Sequence, residues 1–195
     1  GACVDMPNEP AESNFKHKIR ATAYPTAEWG GLVWAYLGPA ALHPELPQLP
    51  WATLPAGHRH ATKWVNDCNY LQAMEGEIDT SHVSFLHRFL DQGAVPGHIG
   101  TGEAGRWRAD PAPQLTLRET DYGFVYGSRR NPVEGTYYWR VTQWLAPTFS
   151  VIPNHEWPRW SRCYVPIDDE RCWVFNTYFR EDRPLNDTEL SFIRS

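Results

Sequence analysis

The sequence has few cysteines, and none of them lies in a pattern that holds a metal. Cys3, Cys68, Cys163 and Cys172 form neither a Cys-x-x-Cys nor a Cys-x-His pair. Their spacing therefore predicts neither a zinc site nor a disulfide framework. Cys163 and Cys172 flank a predicted hairpin turn, and we expect them to be thiols on two paired strands that face each other.

Long apolar runs and an excess of positive charge are also missing. No segment reaches the roughly 18 apolar residues of a membrane span, and the first residues do not have the pattern of a signal peptide. The net charge of −5 argues against nucleic-acid binding, because phosphates are met by a basic surface. We therefore expect a cytoplasmic protein that binds neither a membrane nor nucleic acid.

The first third of the chain predicts a strand followed by a linker. The apolar run Leu32–Leu37 has the character of a buried strand, and Gly38-Pro39 ends it. Prolines then recur between residues 39 and 57, which is incompatible with continuous regular structure. We interpret residues 40–63 as a linker between two structural units.

The remainder of the chain predicts an α+β domain. A helical pattern begins at Trp64 and is expected to end or bend at Gly76, and Asp79-Thr80-Ser81 offers an N-cap for a second helical turn. A glycine-rich loop over 91–113 leads into alternating strands between 115 and 179, which predict an antiparallel sheet. Asn186 and Glu189 have the spacing of a capping box, which predicts a final helix.

One short segment has the residue types of a metal site. Asp79 precedes His82 by three residues, and His87 follows five residues later. A step of five rotates an ideal helix by about 140°, so both rings converge only if the helix ends or widens between them. Neutral imidazole binds Fe and Zn well, and Asp79 can accept a hydrogen bond from a ligand ring. Spacing alone leaves the alternative that one histidine is a surface residue and the other a buried one.

The motif and its surroundings resemble a known family. Asp79-x-x-His82-x-x-x-x-His87 is similar to the mononuclear-iron motif in the large (alpha) subunits of Rieske non-haem iron oxygenases. The flanking segments 68–76 and 81–88 resemble the branch that includes phthalate dioxygenase-like proteins. Further similarity lies in three other segments, Val4 to Pro10, Gly31 to Pro39 and Val165 to Glu170.

The resemblance implies a fold and a chemistry. It implies an α+β, helix-grip-like catalytic domain with an antiparallel sheet and helices. His82 and His87 match two ligands of a mononuclear Fe(II) held by two histidines and one carboxylate. Asp79 matches the aspartate that links this site to the Rieske 2Fe–2S cluster of a neighbouring subunit. The implied partners are O2, a small aromatic substrate with or without a carboxylate, an electron-transfer reductase and the other subunits of a homotrimer.

The sequence departs from the family pattern at both ends. The Cys-x-His and Cys-x-x-His pairs that hold a Rieske cluster do not occur. The third iron ligand is expected on a later helix, and neither Asp182 nor Asp187 lies in the expected context. We therefore expect a fragment, inactive by itself. In this fragment, we expect residues 1–39 to be the C-terminal remnant of a Rieske domain. We expect residues 40–63 to be the linker and residues 64–195 to be a partial mononuclear-iron domain.

Two other functions are compatible with the residues. The first is a metal-free ligand-binding module of similar α+β shape. The second is a zinc hydrolase that uses His82 and His87, with Glu75 or Glu77 as the base. Arg140 and Arg162 would bind a substrate carboxylate if they faced inward, although a surface position is the ordinary expectation. Six aromatic residues fit either a core or a pocket: Trp139, Trp144, Phe149, Trp173, Phe175 and Phe179.

Overall fold

The computed structural model describes residues 1–86, 110–131, 134–153 and 158–194. The helices are α1 (Tyr70–Ile78) and α2 (Asp187–Arg194), and short 3-10 turns include His82–Ser84. The strands are β1 (Thr26–Trp29), β2 (Leu32–Ala35), β3 (Arg59–Asn66), β4 (Gln114–Thr120), β5 (Gly123–Arg130), β6 (Tyr138–Leu145), β7 (Phe149–Ile152), β8 (Arg159–Pro166) and β9 (Cys172–Phe179). The α+β class predicted from the sequence is confirmed.

The main sheet is antiparallel and has the order β3-β9-β8-β7-β6-β5-β4. From β4 to β9 each strand pairs with the next along the chain, as the alternating pattern predicts, and β3 joins at the far edge by pairing with β9. Strands β1 and β2 form a separate hairpin. Among the residues that the structure describes, no helix has the length and apolar character needed to cross a bilayer.

The two faces of the sheet have different neighbours. On one face, α1 packs against β6, β7 and β8, and its buried Met74 contacts Tyr164 and Val174. On the other face, Phe149 and Phe179 pack with Trp51. The sheet therefore separates an aromatic core from the face that carries α1.

The segment predicted as a linker takes part in that aromatic core. Leu49, Trp51 and Ala52 are buried, and Trp29 and Trp34 of the hairpin pack against them. Strand β3 begins at Arg59, within the proposed linker 40–63. The domain boundaries at 39 and 63 remain predictions, but the segment between them has a packed structure.

The helix predicted from Trp64 is wrong at its start. Trp64 lies in β3, opposite Val174 of β9, and α1 begins at Tyr70, where the Asn69 side chain accepts a hydrogen bond from the backbone N–H of Leu71. Pairing with a strand that is distant in sequence overrides the helical spacing. Gly76 does not end the helix either, because α1 continues to Ile78.

Two further predictions about strands need correction. The apolar run Leu32–Leu37 is not a fully buried strand: β2 ends at Ala35 and alternates, with Val33 74% exposed, because a two-stranded hairpin packs through one face. Cys163 and Cys172 do not face each other. Cys163 lies opposite Phe175 and Cys172 opposite Pro166, and both are free thiols.

The final helix begins as predicted. The Asn186 side chain accepts a hydrogen bond from the backbone N–H of Glu189, and the Glu189 carboxylate accepts one from the backbone N–H of Asn186, both at 2.9 Å. Arg180 and Arg183 also donate to this carboxylate. The capping box is therefore confirmed, with two arginines added to it.

Candidate metal and substrate site

The turn after α1 is organised by Asp79. Helix α1 ends there because Asp79 adopts an extended conformation (φ −67°, ψ 121°). Its carboxylate accepts hydrogen bonds from the backbone N–H groups of Ser81 at 2.7 Å and His82 at 3.2 Å. The 3-10 turn His82–Ser84 follows, as the sequence predicted for a second helical turn, but its N-cap residue Ser81 makes no side-chain capping hydrogen bond. The Asp79 carboxylate holds the first N–H groups of this segment instead.

The same carboxylate contacts the imidazole of His82. The distance from Nδ1 of His82 to Oδ2 of Asp79 is 3.3 Å, and the two side chains are 23% and 46% exposed. A carboxylate at this nitrogen fixes the orientation and tautomer of the ring and leaves Nε2 as the nitrogen for a metal. The pair therefore fits a histidine ligand with its supporting carboxylate.

The rest of the predicted metal motif lies beyond the described residues. His87 and most of the predicted loop over 91–113 lie outside the described residues. Within residues 1–86, 110–131, 134–153 and 158–194, no cluster of three or more His, Cys, Asp or Glu side chains could hold a metal. The metal assignment of His82 and His87 therefore remains a prediction.

His82 and Asp79 border a cavity of about 310 Å³ between α1 and the sheet. Most of its lining is polar or aromatic, with contributions from α1 and from β5, β6 and β8. The lining residues include Glu77, Thr80, Tyr126, Arg140, Thr142, Ile152, Trp160, Arg162 and Tyr164. A ligand in this cavity would lie beside the His82 ring and would meet two arginines.

Glu77 joins the last turn of α1 to β8. Its carboxylate accepts hydrogen bonds from Trp160 Nε1 and Tyr164 Oη, both at 3.2 Å, and from Arg162 Nη1. These donors alternate along β8, so they all project from the face that packs against α1. Burial and the Glu77 carboxylate raise the pKa of Tyr164. Burial opposes the charge of Arg162, but Glu77 and Tyr164 raise the pKa of its guanidinium overall.

Both arginines considered from the sequence face the cavity, so the expected surface position is wrong. Arg140 is 7% exposed, and its Nη2 lies 3.5 Å from the carbonyl oxygen of Pro153. Arg162 lies 5.9 Å from the ring centroid of Trp160. The sequence did not single out Trp160 or Tyr164. Trp160, Arg162 and Tyr164 alternate along β8, and this spacing could have indicated from the sequence that they share one face of the strand.

None of the six aromatic residues weighed earlier for a pocket lines this cavity. Phe179 and Phe149 belong to the aromatic core on the other face of the sheet, and Trp139 is 49% exposed.

Neither glutamate considered as the base of a zinc hydrolase is placed to act as one. Glu77 is held by three donors, and Glu75 is exposed and is not among the cavity residues.

Residues 35–191 match the family model described as "LigXa C-terminal domain like". The chain belongs to this family. It is 38% identical over 181 residues to the phthalate 4,5-dioxygenase oxygenase subunit of Pseudomonas putida, across 87% of this chain and 40% of that protein. It is 35% identical over 182 residues to the 3-chlorobenzoate-3,4-dioxygenase oxygenase subunit of Comamonas testosteroni, across 92% and 41%.

The fold agrees with that assignment. Dicamba monooxygenase bound to dicamba superposes with a TM-score of 0.64 at 18% identity, across 100% of this chain and 59% of that chain. The terminal oxygenase of carbazole 1,9a-dioxygenase from Nocardioides aromaticivorans IC177 gives 0.59 at 15%, across 98% and 57%. The resemblance to Rieske oxygenase large subunits of the phthalate dioxygenase branch is confirmed. The chain spans about two-fifths of the length of the curated relatives.

Proposed function

We propose that this chain is part of the oxygenase component of a Rieske-type aromatic-ring hydroxylating or O-demethylating system. The observation that carries the proposal is the contact between His82 Nδ1 and Asp79 at the edge of a cavity, in a chain whose relatives are oxygenase subunits. We propose His82 and His87 as two ligands of a mononuclear Fe(II), with a carboxylate from another part of the protein as the third.

The donor set suits this metal. Fe(II) bound on one face by two histidines and a carboxylate keeps positions for O2 and supplies the oxidising chemistry. The residues of this chain would bind and orient. Asp79 would hold the Nδ1 proton of His82, and the cavity between α1 and the sheet would receive the aromatic ring.

Electron delivery is part of the same proposal. We propose that the 2Fe–2S cluster is held by a part of the full-length protein outside these 195 residues. Asp79 is 46% exposed, so a cluster ligand from a neighbouring subunit of a homotrimer can reach it. A reductase would supply the electrons, as the name "oxygenase subunit" of the relatives suggests, and the location would be cytoplasmic.

We further propose that the substrate carries a carboxylate and that Arg140 binds it. A buried guanidinium in the cavity wall favours a planar anion through two parallel hydrogen bonds. Four relatives are named after carboxylic acids, namely phthalate, 3-chlorobenzoate, dehydrodivanillate and phenoxybenzoate. One relative is named for tert-butanol, which has no carboxylate. A preference for carboxylated substrates must therefore be tested on this chain itself.

Iron binding by the full-length protein tests the site. After anaerobic loading with Fe(II), we expect one mononuclear iron per chain in addition to the cluster iron. His82→Ala should lose that iron, whereas the matched control His60→Ala, which alters a β3 residue outside the cavity, should retain it. Stoichiometric iron in His82→Ala would refute the assignment. Tight binding of an aromatic acid without any mononuclear iron in the unaltered protein would indicate the metal-free binding module instead.

A further inference from the structure

A second, fully buried arginine lies behind the His82 turn. Arg130 is 0% exposed, and it projects from the same face of β5 as Tyr126 and Ser128. Its Nη2 donates to the carbonyl oxygen of Thr80 at 2.7 Å, and its Nη1 lies 3.4 Å from the hydroxyls of Thr80 and Ser128. Thr80 is the residue that directly follows Asp79.

Arg130 also contacts the chain beyond the motif. Its Nε donates to the carbonyl oxygen of Asp110 at 3.1 Å, and Asp110 accepts a hydrogen bond from the backbone N–H of Asn131 at 2.7 Å. One guanidinium thus ties Thr80 to Asp110. These are the two ends of the stretch of chain that carries His82 and His87.

Tyr126 holds the other side of Asp79. Its hydroxyl donates a hydrogen bond to the carbonyl oxygen of Ile78. The carbonyls immediately before and after Asp79 are therefore both bound by side chains of β5. The Asp79 carboxylate in turn accepts hydrogen bonds from the backbone N–H groups of Ser81 and His82 and contacts the His82 ring. Side chains of β5 therefore hold the backbone on both sides of the residue that contacts this ring.

The chemistry of Arg130 argues for a specific role. A guanidinium that is removed from water loses its hydration, and neutral oxygens compensate for this less well than a carboxylate does. Burial and the nearby Arg140 lower the pKa of Arg130. An apolar side chain would fill the same volume at a smaller cost. What only the planar fork of arginine provides is simultaneous bonding to Thr80 and Asp110.

We propose that Arg130, assisted by Tyr126, is a positioning residue for the metal site: it fixes Thr80 and Asp110 so that Asp79 stays against His82. This inference rests on the proposed function, since it assumes that His82 binds the metal. It assigns Arg130 no contact with substrate or metal.

The test uses the full-length protein, loaded either with Fe(II) or with Co(II) as a spectroscopic probe. Arg130→Met should release mononuclear iron to a chelator about tenfold faster, near the lower end of the effects seen for residues that support metal ligands. It should also shift the visible absorption of bound Co(II), which reports the ligand geometry. Tyr126→Phe removes one hydroxyl from the same arrangement and should shift both readouts in the same direction by a few-fold less.

Two controls separate positioning from general loss of stability. Arg129→Met alters the neighbouring arginine, which projects from the opposite face of β5 and lies over Tyr137. Ile193→Ala makes a cavity under α2, where Ile193 is 8% exposed, and destabilises the fold away from the site. Both controls should release iron at the unaltered rate and leave the Co(II) spectrum unchanged.

The outcomes distinguish the two proposals. If the unaltered protein binds neither metal at a mononuclear site, the proposed function fails and the inference fails with it. If the unaltered protein binds iron and Arg130→Met holds it equally well, or loses it no faster than Ile193→Ala, the positioning role alone is refuted. If Arg130→Met does not fold, Tyr126→Phe decides, and an unchanged release rate and Co(II) spectrum in that variant overturn the inference.

Discussion

The connection between α1 and β8 gives a stability prediction that can be worked out from the structure. In Glu77→Gln, Oε1 can still accept from Trp160, but the amide group takes the place of Oε2, which accepts from Arg162 and Tyr164. An amide N–H₂ donates and does not accept. Two donors therefore lose their acceptor, and Arg162 loses the negative charge beside it.

The expected cost is about 3 kcal/mol. Hydrogen bonds to charged groups contribute about 1.5–3 kcal/mol each, and removing one partner of a buried ion pair costs about 3–5 kcal/mol. The Glu77 side chain is 8% exposed, but that of Arg162 is 26% exposed. Water can therefore hydrate part of the orphaned guanidinium, which places the loss at the lower end of the buried-pair range.

Chemical denaturation of the metal-free protein at pH 7, followed by tryptophan fluorescence, measures this loss. Glu75→Gln is the matched control, because it makes the same change on an exposed residue of the same helix, and it should stay within about 0.5 kcal/mol of the unaltered protein. A double-mutant cycle of Glu77→Leu with Arg162→Met should give a coupling of about 2 kcal/mol. A loss under about 1 kcal/mol in Glu77→Gln, or an additive cycle, would refute the reasoning.

Three other changes have defined outcomes. In the full-length protein, Asp79→Asn should keep iron but slow cluster oxidation in a single turnover by orders of magnitude. The asparagine amide cannot accept hydrogen bonds from both His82 and the neighbouring subunit's cluster histidine at once. A near-normal rate would show that Asp79 only holds the backbone of the turn. Arg140→Gln should weaken binding of a substituted benzoate about 10- to 100-fold, which corresponds to the loss of one charge-assisted hydrogen bond. Binding of the matching benzamide should change little. Equal losses of affinity for both ligands would count against a carboxylate site. Burial alone raises the pKa of Glu189, but Arg183, the backbone of Asn186 and Arg180 lower it to about 2. The corresponding stabilisation of about 3 kcal/mol is fully present above pH 4.5 and is lost as the pH falls towards 2, so urea denaturation from pH 6 to pH 2.5 should show a flatter pH dependence for Glu189→Gln.

Local signals in the sequence predicted local structure well. The capping box at Asn186 and Glu189 depends on residues three positions apart, and it is present. The second helical turn predicted after Asp79 is also present, although its N-cap residue Ser81 makes no side-chain capping hydrogen bond. The order of β4 to β9 also followed from the chain, because each strand pairs with its neighbour in sequence. In each case the partner that stabilises the element lies close to it along the chain.

Features that depend on distant partners were not predicted. Trp64 fits a helical spacing, yet β3 forms because β9 pairs with it across more than 100 residues. The partners of Glu77 lie 83 to 87 residues away, and the pairing of β8 with β7 and β9 decides that Arg162 faces α1. Periodicity identifies alternate faces of a strand, but it does not identify which face meets the cavity.

The aromatic core and the candidate site lie on opposite faces of the sheet. The cavity face contains Arg130, Arg140 and Arg162, whose burial is unfavourable unless their hydrogen bonds are satisfied. The opposite face buries Trp51 and Phe179 to 2% exposure each, and large apolar side chains of this kind contribute about 1.5–3 kcal/mol each on burial. The aromatic core therefore offsets the unfavourable burial of charge beside the candidate metal site. Because the segment around Trp51 supplies part of that core, it supports the main sheet structurally.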